Sequence, residues 1–205
     1  WLGSILILAL VARLIFFVIY PTPEFPDATQ YPINGAEIFA GKIVTDHKYM
    51  PLYPIWAHLT GGGNTQILAD ILLSTLTVWV IYILSVTLFG DRLIGLFAAA
   101  FSAIYPHFLF YSVTRLTETS FTLLLLVSFW LFYRERIIAA MILSVLALLI
   151  RPSLDLLNPI LPVFFVIFVY RSGWRSAIKY FCVYSLIYVI LMSPWWVHQY
   201  KKYDS

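Results

Sequence analysis

Long, uninterrupted apolar stretches dominate this sequence and constrain its fold more than any other feature. A helix needs about 20 mostly apolar residues to cross the hydrocarbon core of a membrane. A transmembrane β-barrel would instead show alternating strands of about 10 residues, whereas the stretches here are continuous. The sequence therefore predicts an all-α, polytopic transmembrane helical bundle with seven spans. The predicted spans are 2–20, 66–89, 93–111, 117–133, 137–150, 154–170 and 177–197.

The composition agrees with a membrane protein and excludes several other classes. Hydrophobic residues make up 61% of the chain and charged residues only 11%, whereas a soluble domain has about 25% charged residues. The net charge of +3 is small, and the basic residues are scattered along the chain, so no nucleic-acid partner is predicted. The single cysteine, Cys182, excludes a disulfide framework and a cysteine-based zinc site.

We expect the chain to be a single transmembrane domain over 1–205 and a piece of a longer protein, because it begins with Trp1 rather than Met. The first apolar stretch has no small-residue cleavage site, so it predicts a spanning helix rather than a signal peptide.

The connections between the predicted spans differ on the two faces of the membrane. Those at 90–92, 134–136 and 171–175 are short and rich in arginine, whereas the opposite face carries a long loop at 21–65. Lys and Arg are equally numerous on the two faces but denser in the short connections. Because the positive-inside rule concerns short loops, the short connections are predicted to be cytoplasmic and the long loop external.

Acidic residues concentrate on the predicted outer face. Of the ten Asp and Glu residues, only Asp91 and Glu135 fall in the short connections, and all four histidines lie on the outer side. Solvent exposure of the loops alone would predict similar numbers of acidic residues on both faces. The asymmetry favours a polar site at the outer membrane surface.

The long outer loop combines a rigid start with a short helix. Its prolines predict an extended stretch that contains Asp27, because each proline fixes its own φ and restricts the residue before it. Pro32 then suits the first turn of a short helix over 33–40. The apolar face of that helix predicts that it lies along the membrane surface.

A series of short motifs follows one another along the chain. They are Arg13, PDATQY at 26–31, AEIFAG at 36–41, MPLYP at 50–54, YPHFLFYSVTRLTE at 105–118, IRP at 150–152, NP at 158–159 and PWWVHQY at 194–200. In this order the chain resembles, over nearly its whole length, the bacterial membrane glycosyltransferases of the GT-C superfamily. That group is related to protein O-mannosyltransferases and aminoarabinose transferases.

The resemblance implies a transferase of the bacterial inner (plasma) membrane with its active face outward. Such an enzyme moves a sugar from a polyprenyl-phosphate donor in the membrane lipid to a glycan, lipid or protein acceptor. Asp27 matches the acidic residue of the first outer loop that acts as base on the acceptor. Ala28 follows Asp27, so the adjacent Asp-Glu pair of some O-mannosyltransferases is missing.

Transfer from a lipid phosphate also needs cations that face the leaving phosphate. Arg115, Arg151 and Lys48 are the candidates, and Arg13 could approach from the first helix. Each has an alternative role. Lys48 could extend towards lipid headgroups, while Arg115 and Arg151 could form structural ion pairs with Glu118 and Asp155.

Four further residues are candidates for supporting roles or for a second acid: Asp46, Glu118, Asp155 and Tyr31. Asp46 and His47, with His58, offer ligand types suited to a divalent metal such as zinc, magnesium or manganese. Their spacing is not diagnostic, so an interfacial polar role for His47 stays open.

Two other classes of function remain as alternatives. A membrane transporter or flippase of lipid-linked solutes would be expected to show polar or broken helices at the bilayer midplane and an internal repeat. Neither is evident in this sequence. A non-catalytic membrane subunit with the same fold is the third hypothesis, which the full open reading frame would help to test.

Overall fold

The computed structural model describes residues 1–20, 25–42, 44 and 48–203, the last two of these by their backbone alone. These residues contain ten α-helices and no strand, which confirms the all-α prediction. A 3-10 turn spans Pro152–Leu154 and a π-helical turn spans Phe165–Val169. The α-helices are α1 (Leu2–Ile19), α2 (Pro26–Phe39), α3 (Leu52–Leu59), α4 (Gly63–Phe89), α5 (Arg92–Ile104), α6 (Pro106–Tyr111), α7 (Glu118–Tyr133), α8 (Ile137–Leu148), α9 (Ile160–Phe164) and α10 (Trp174–Tyr203).

Three helices are long and apolar enough to cross a membrane: Leu2–Ile19, Gly63–Phe89 and Trp174–Lys201. Four shorter apolar helices overlap the other four predicted spans: Arg92–Ile104, Glu118–Tyr133, Ile137–Leu148 and Ile160–Val169. The predicted continuous span 93–111 was wrong, because the chain is extended at Tyr105 and Pro106 begins a separate helix. Most of the α1 and α10 surface is exposed and apolar, as in helices that contact lipid. The structure is thus compatible with a membrane protein, and the count of seven spans stays a prediction.

The predicted short connection at 90–92 illustrates how local sequence ends one helix and begins the next. Gly90 closes α4 with a φ of 70°, a left-handed conformation that glycine adopts without a steric penalty. The side chain of Asp91 then accepts a hydrogen bond of 2.7 Å from the backbone N–H of Leu93 and caps α5. This reversal places α4 and α5 against each other.

One part of the buried core lies between α7, α8, the π-helical turn and α10. A buried cluster joins Phe132 of α7 and Met141 of α8 to Phe165, in the π-helical turn, and to Tyr184 of α10. The rings of Phe132 and Phe165 stack with centroids 4.6 Å apart. These contacts join α7 near its C-terminal end to α8 near its N-terminal end. Glu118 and Arg151 lie at the opposite ends of these two helices.

The described residues between α1 and α4 include two helices that pack against each other, α2 and α3. They approach so closely that a Cβ on Gly35 would lie 2.2 Å from the carbonyl oxygen of Pro54, so only glycine fits there. The helix predicted over 33–40 instead begins at Pro26, and the prediction of an extended stretch around Asp27 was wrong. Pro26 occupies the first helical turn, where its missing N–H costs nothing, and Pro32 is accommodated inside the helix.

Candidate functional site

A cavity of about 330 Å³ opens where α2 meets the N-terminal end of α7 and the C-terminal end of α8. It gathers residues from four separate stretches of the sequence, 25–31, 48–50, 116–118 and 150–152. Five of the residues nominated from the sequence line it: Asp27, Tyr31, Lys48, Glu118 and Arg151. The other lining residues are Phe25, Pro26, Tyr49, Met50, Leu116, Thr117, Ile150 and Pro152.

Asp27 lies in the first turn of α2, where a carboxylate also interacts favourably with the helix dipole. The Tyr49 hydroxyl donates a hydrogen bond of 2.5 Å to Asp27 Oδ1. Lys48 Nζ lies 3.6 Å from the same oxygen and 4.6 Å from the centre of the Tyr49 ring. The Asp27 side chain keeps 44% of its surface exposed, so it is held in position and remains open to a ligand.

Glu118 and Arg151 form an ion pair on the other side of the cavity. Arg151 Nη1 donates to Glu118 Oε1, and Arg151 Nε donates to Ser153 Oγ at 2.8 Å. The second carboxylate oxygen, Glu118 Oε2, is buried and receives no hydrogen bond from the part of the chain that the structure describes. A buried charged oxygen without a donor is costly, so a ligand that supplies an O–H or N–H there would be stabilised.

This pairing differs from the one expected from the spacing of Arg115 and Glu118. Glu118 is the first residue of α7, while Arg115 precedes the helix in the left-handed region with a φ of 54°. The two residues therefore do not share a helical face, and Glu118 pairs with Arg151 instead. Arg115 does not line the cavity.

Tyr31 contributes a hydroxyl at the base of the cavity. Its ring packs edge-on against the rings of Tyr49 and Tyr53, with centroids 4.8 Å apart in both cases. Burial raises the pKa of Tyr31, and the nearby Asp27 carboxylate raises it further. Burial and the hydrogen bond to Asp27 also raise the pKa of Tyr49. Both hydroxyls thus keep their protons at neutral pH, and that of Tyr49 donates to Asp27.

The cavity combines two carboxylates with two cations. Asp27 faces Lys48 and Glu118 faces Arg151, so the charges balance within one small space. A carboxylate can accept a proton from a hydroxyl, and an arginine or lysine can bind an anionic leaving group. The arrangement therefore offers both functions within reach of a single ligand.

Several nominated residues lie elsewhere. Asp155 accepts a hydrogen bond of 2.8 Å from the Tyr188 hydroxyl and lines a different cavity. Arg13 is fully buried within the bundle, where it donates to Ser74 Oγ at 2.7 Å and to the carbonyl oxygens of Ala9 and Ala103. Asp46 and His47 lie outside the described residues.

The described residues include no group of three His, Cys, Asp or Glu side chains that could hold a metal ion. Asp27 and Glu118 are each already paired with a cation, so they do not form a metal site by themselves. The prediction of a metal ligand at His47 stays a prediction.

Sequence reasoning missed a buried network beneath the cavity. Asp70 of α4 is fully buried and accepts two hydrogen bonds of 2.9 Å, from the Tyr53 hydroxyl and from Trp56 Nε1. Gln66 Nε2 donates to the Tyr53 hydroxyl at 3.2 Å. The network fastens α3 to α4, and α3 in turn supports α2 with Asp27. The available signal was an aspartate inside an apolar span, which is rare and needs a partner.

A comparison of the chain with protein-family models, with curated proteins and with solved structures finds no match in any of the three. The functional argument therefore depends on the site itself.

Proposed function

We propose that this chain is a GT-C-type membrane glycosyltransferase that transfers a sugar from a polyprenyl-phosphate donor to an acceptor hydroxyl. The observation that supports the proposal most is the cavity that collects Asp27, Tyr31, Lys48, Glu118 and Arg151. The sequence alone predicts all five as candidate site residues.

In the proposed reaction the acceptor oxygen attacks the anomeric carbon of the donor sugar. The bond between that carbon and the phosphate oxygen breaks, and the bonding electrons leave with the polyprenyl phosphate. Asp27 accepts the proton of the acceptor hydroxyl as general base. The hydrogen bond from Tyr49 and the contact with Lys48 hold the carboxylate at the cavity mouth.

The leaving phosphate gains negative charge during the reaction and needs a cation that is already in place. Arg151 fits this role because its guanidinium is oriented by Glu118 and Ser153. Lys48 is the second candidate. Glu118 and Tyr31 also line the cavity and are the candidates to bind hydroxyl groups of the sugar.

The proposal includes an orientation and a location. Seven spans would place the cavity at the outer face of a bacterial inner membrane, where the partners are the lipid-linked donor and a glycan, lipid or protein acceptor. A divalent metal bound through His47 would be an additional requirement, and no step above depends on it.

The proposal is tested by assaying the purified chain in lipid nanodiscs against a panel of polyprenyl-phosphate sugars with a mixture of acceptors. We expect release of polyprenyl phosphate with at least one donor. Asp27→Asn should reduce turnover by about 10²-fold or more, which is within the usual range for a general base. Donor binding should be unchanged because the substitution keeps the size of the side chain.

Glu135→Gln is the matched control, because Glu135 is an exposed acid at the opposite end of α7. It should leave turnover unchanged. Donor binding without turnover for any donor would contradict the enzymatic proposal and favour a transporter or a non-catalytic subunit. Normal turnover of Asp27→Asn would remove Asp27 from the catalytic role.

A further inference from the structure

A second cavity, of about 320 Å³, lies on the other side of the turn segment at 152–159, between this segment and α10. Asp155 and Pro159 line one side, and Phe181, Tyr184 and Tyr188 line the other. No residue lines both this cavity and the candidate active site. The second cavity therefore needs an explanation of its own.

The polar groups of this cavity are incompletely satisfied by the protein. Asp155 accepts one hydrogen bond from Tyr188, but no Lys, Arg or His within the described part of the chain forms an ion pair with it. The Tyr184 side chain is only 2% exposed, and its buried hydroxyl has no hydrogen-bond partner among the described residues. A carboxylate without a cation and a buried hydroxyl without a partner both point to a missing polar ligand.

The walls of the cavity are apolar and aromatic, and they belong to a helix that is long enough to cross the membrane. Phe181, Tyr184 and Tyr188 follow one another at spacings of three and four residues, so they share one face of α10. Phe181 is 45% exposed, and Val189 beside it is 49% exposed. This combination suits the junction between the polar head and the acyl chain of a lipid.

We propose that this cavity binds the primary ammonium headgroup of a membrane lipid. An ammonium group has three donors and no acceptor, so it can donate to the free oxygen of Asp155 and to the Tyr184 hydroxyl at once. The neighbouring aromatic rings stabilise a cation further. No Lys or Arg lines the cavity, so an anionic headgroup without an ammonium would bring a second negative charge beside Asp155.

The proposal is tested by native mass spectrometry of the purified full chain with phosphatidylethanolamine, phosphatidylcholine and phosphatidylglycerol of identical acyl chains. We expect phosphatidylethanolamine to be retained best. Phosphatidylcholine should bind more weakly because its quaternary ammonium has no N–H to donate, and phosphatidylglycerol should bind most weakly. Asp155→Asn should reduce the retention of phosphatidylethanolamine by about tenfold, the usual value of a charge-assisted contact.

Tyr184→Phe is the second variant, since it removes a hydroxyl that makes no hydrogen bond within the protein and should leave the fold intact. We expect it to reduce phosphatidylethanolamine retention by about threefold. Glu135→Gln, which changes an acid remote from the cavity, should have no effect. Equal retention of the three lipids by the unmodified chain would overturn the proposal, and so would unchanged retention in both cavity variants.

Discussion

At the scale of single residues, Arg151 and Arg115 carry the same charge in different surroundings. Arg151 lines the candidate active site, where Glu118 and Ser153 orient its guanidinium, whereas Arg115 lies outside it. Arg151→Lys keeps the charge but loses the fixed fork of donors. We expect it to weaken donor binding about tenfold, as for one charge-assisted hydrogen bond, while Arg115→Lys leaves donor affinity unchanged.

Titration of the donor and thermal unfolding of both variants check this prediction together. A purely structural role for the Arg151–Glu118 pair would lower the melting temperature of Arg151→Lys and leave the affinity of the folded protein as it was. A loss of donor affinity in Arg115→Lys, with Arg151→Lys unaffected, would exchange the roles of the two residues.

Tyr31 provides a residue-scale prediction of pH dependence. Burial raises its pKa above the ordinary value of 10.0, so the folded state holds this proton after the unfolded state has lost it. The stabilisation is complete below pH 10 and declines as the pH rises further, by at most about 1.4 kcal/mol per pH unit. Tyr31→Phe should make the loss of stability between pH 10 and 11.5 shallower. The measurement is the melting temperature of both proteins as a function of pH. An identical decline of the melting temperature over this pH range in the two proteins would disprove the prediction.

At the scale of elements, hydrogen bonds to Asp70 fix the position of α3 against α4. Its two oxygens accept hydrogen bonds from Tyr53 and Trp56, which together fasten α3 to α4. Asp70→Ala would leave both donors unsatisfied, at a cost of about 1–3 kcal/mol each. We expect lower stability and faster amide hydrogen exchange over 52–59. Glu135 is an exposed acid, so the control substitution Glu135→Ala should change neither the stability nor the exchange rate. Unaltered hydrogen exchange over 52–59 in Asp70→Ala would refute the anchoring role.

The apolar stretches predict the long helices α1, α4 and α10, because long apolar segments have few alternatives in a membrane. They do not predict the break at Tyr105, where Pro106 begins a separate helix, or the start of α9 at Ile160. The start of α2 at Pro26 was missed, since proline favours both extended chain and a first helical turn. The outer-face position of Asp27 and Arg151 stays a prediction. As site residues, Asp27 was predicted from the family resemblance and Arg151 from the need for a cation at the leaving phosphate. Their partners were not, because the contact of Asp27 with Tyr49 depends on how the intervening chain folds back.

At the scale of the whole molecule, the orientation in the membrane determines which compartment the candidate active site faces. The short arginine-rich connections lie at one end of the predicted spans and the helices α2 and α3 at the other. We predict that Asn64→Cys, in the exposed first turn of α4, reacts with an impermeant thiol reagent in intact cells. Ser172→Cys should react only after permeabilisation. Both changes are made in a Cys182→Ala background because Cys182 is exposed. The opposite pattern of labelling would place Asp27 in the cytoplasm and would exclude a donor presented at the outer face. Labelling of both positions from the same side of the membrane would contradict the predicted alternation of the spans.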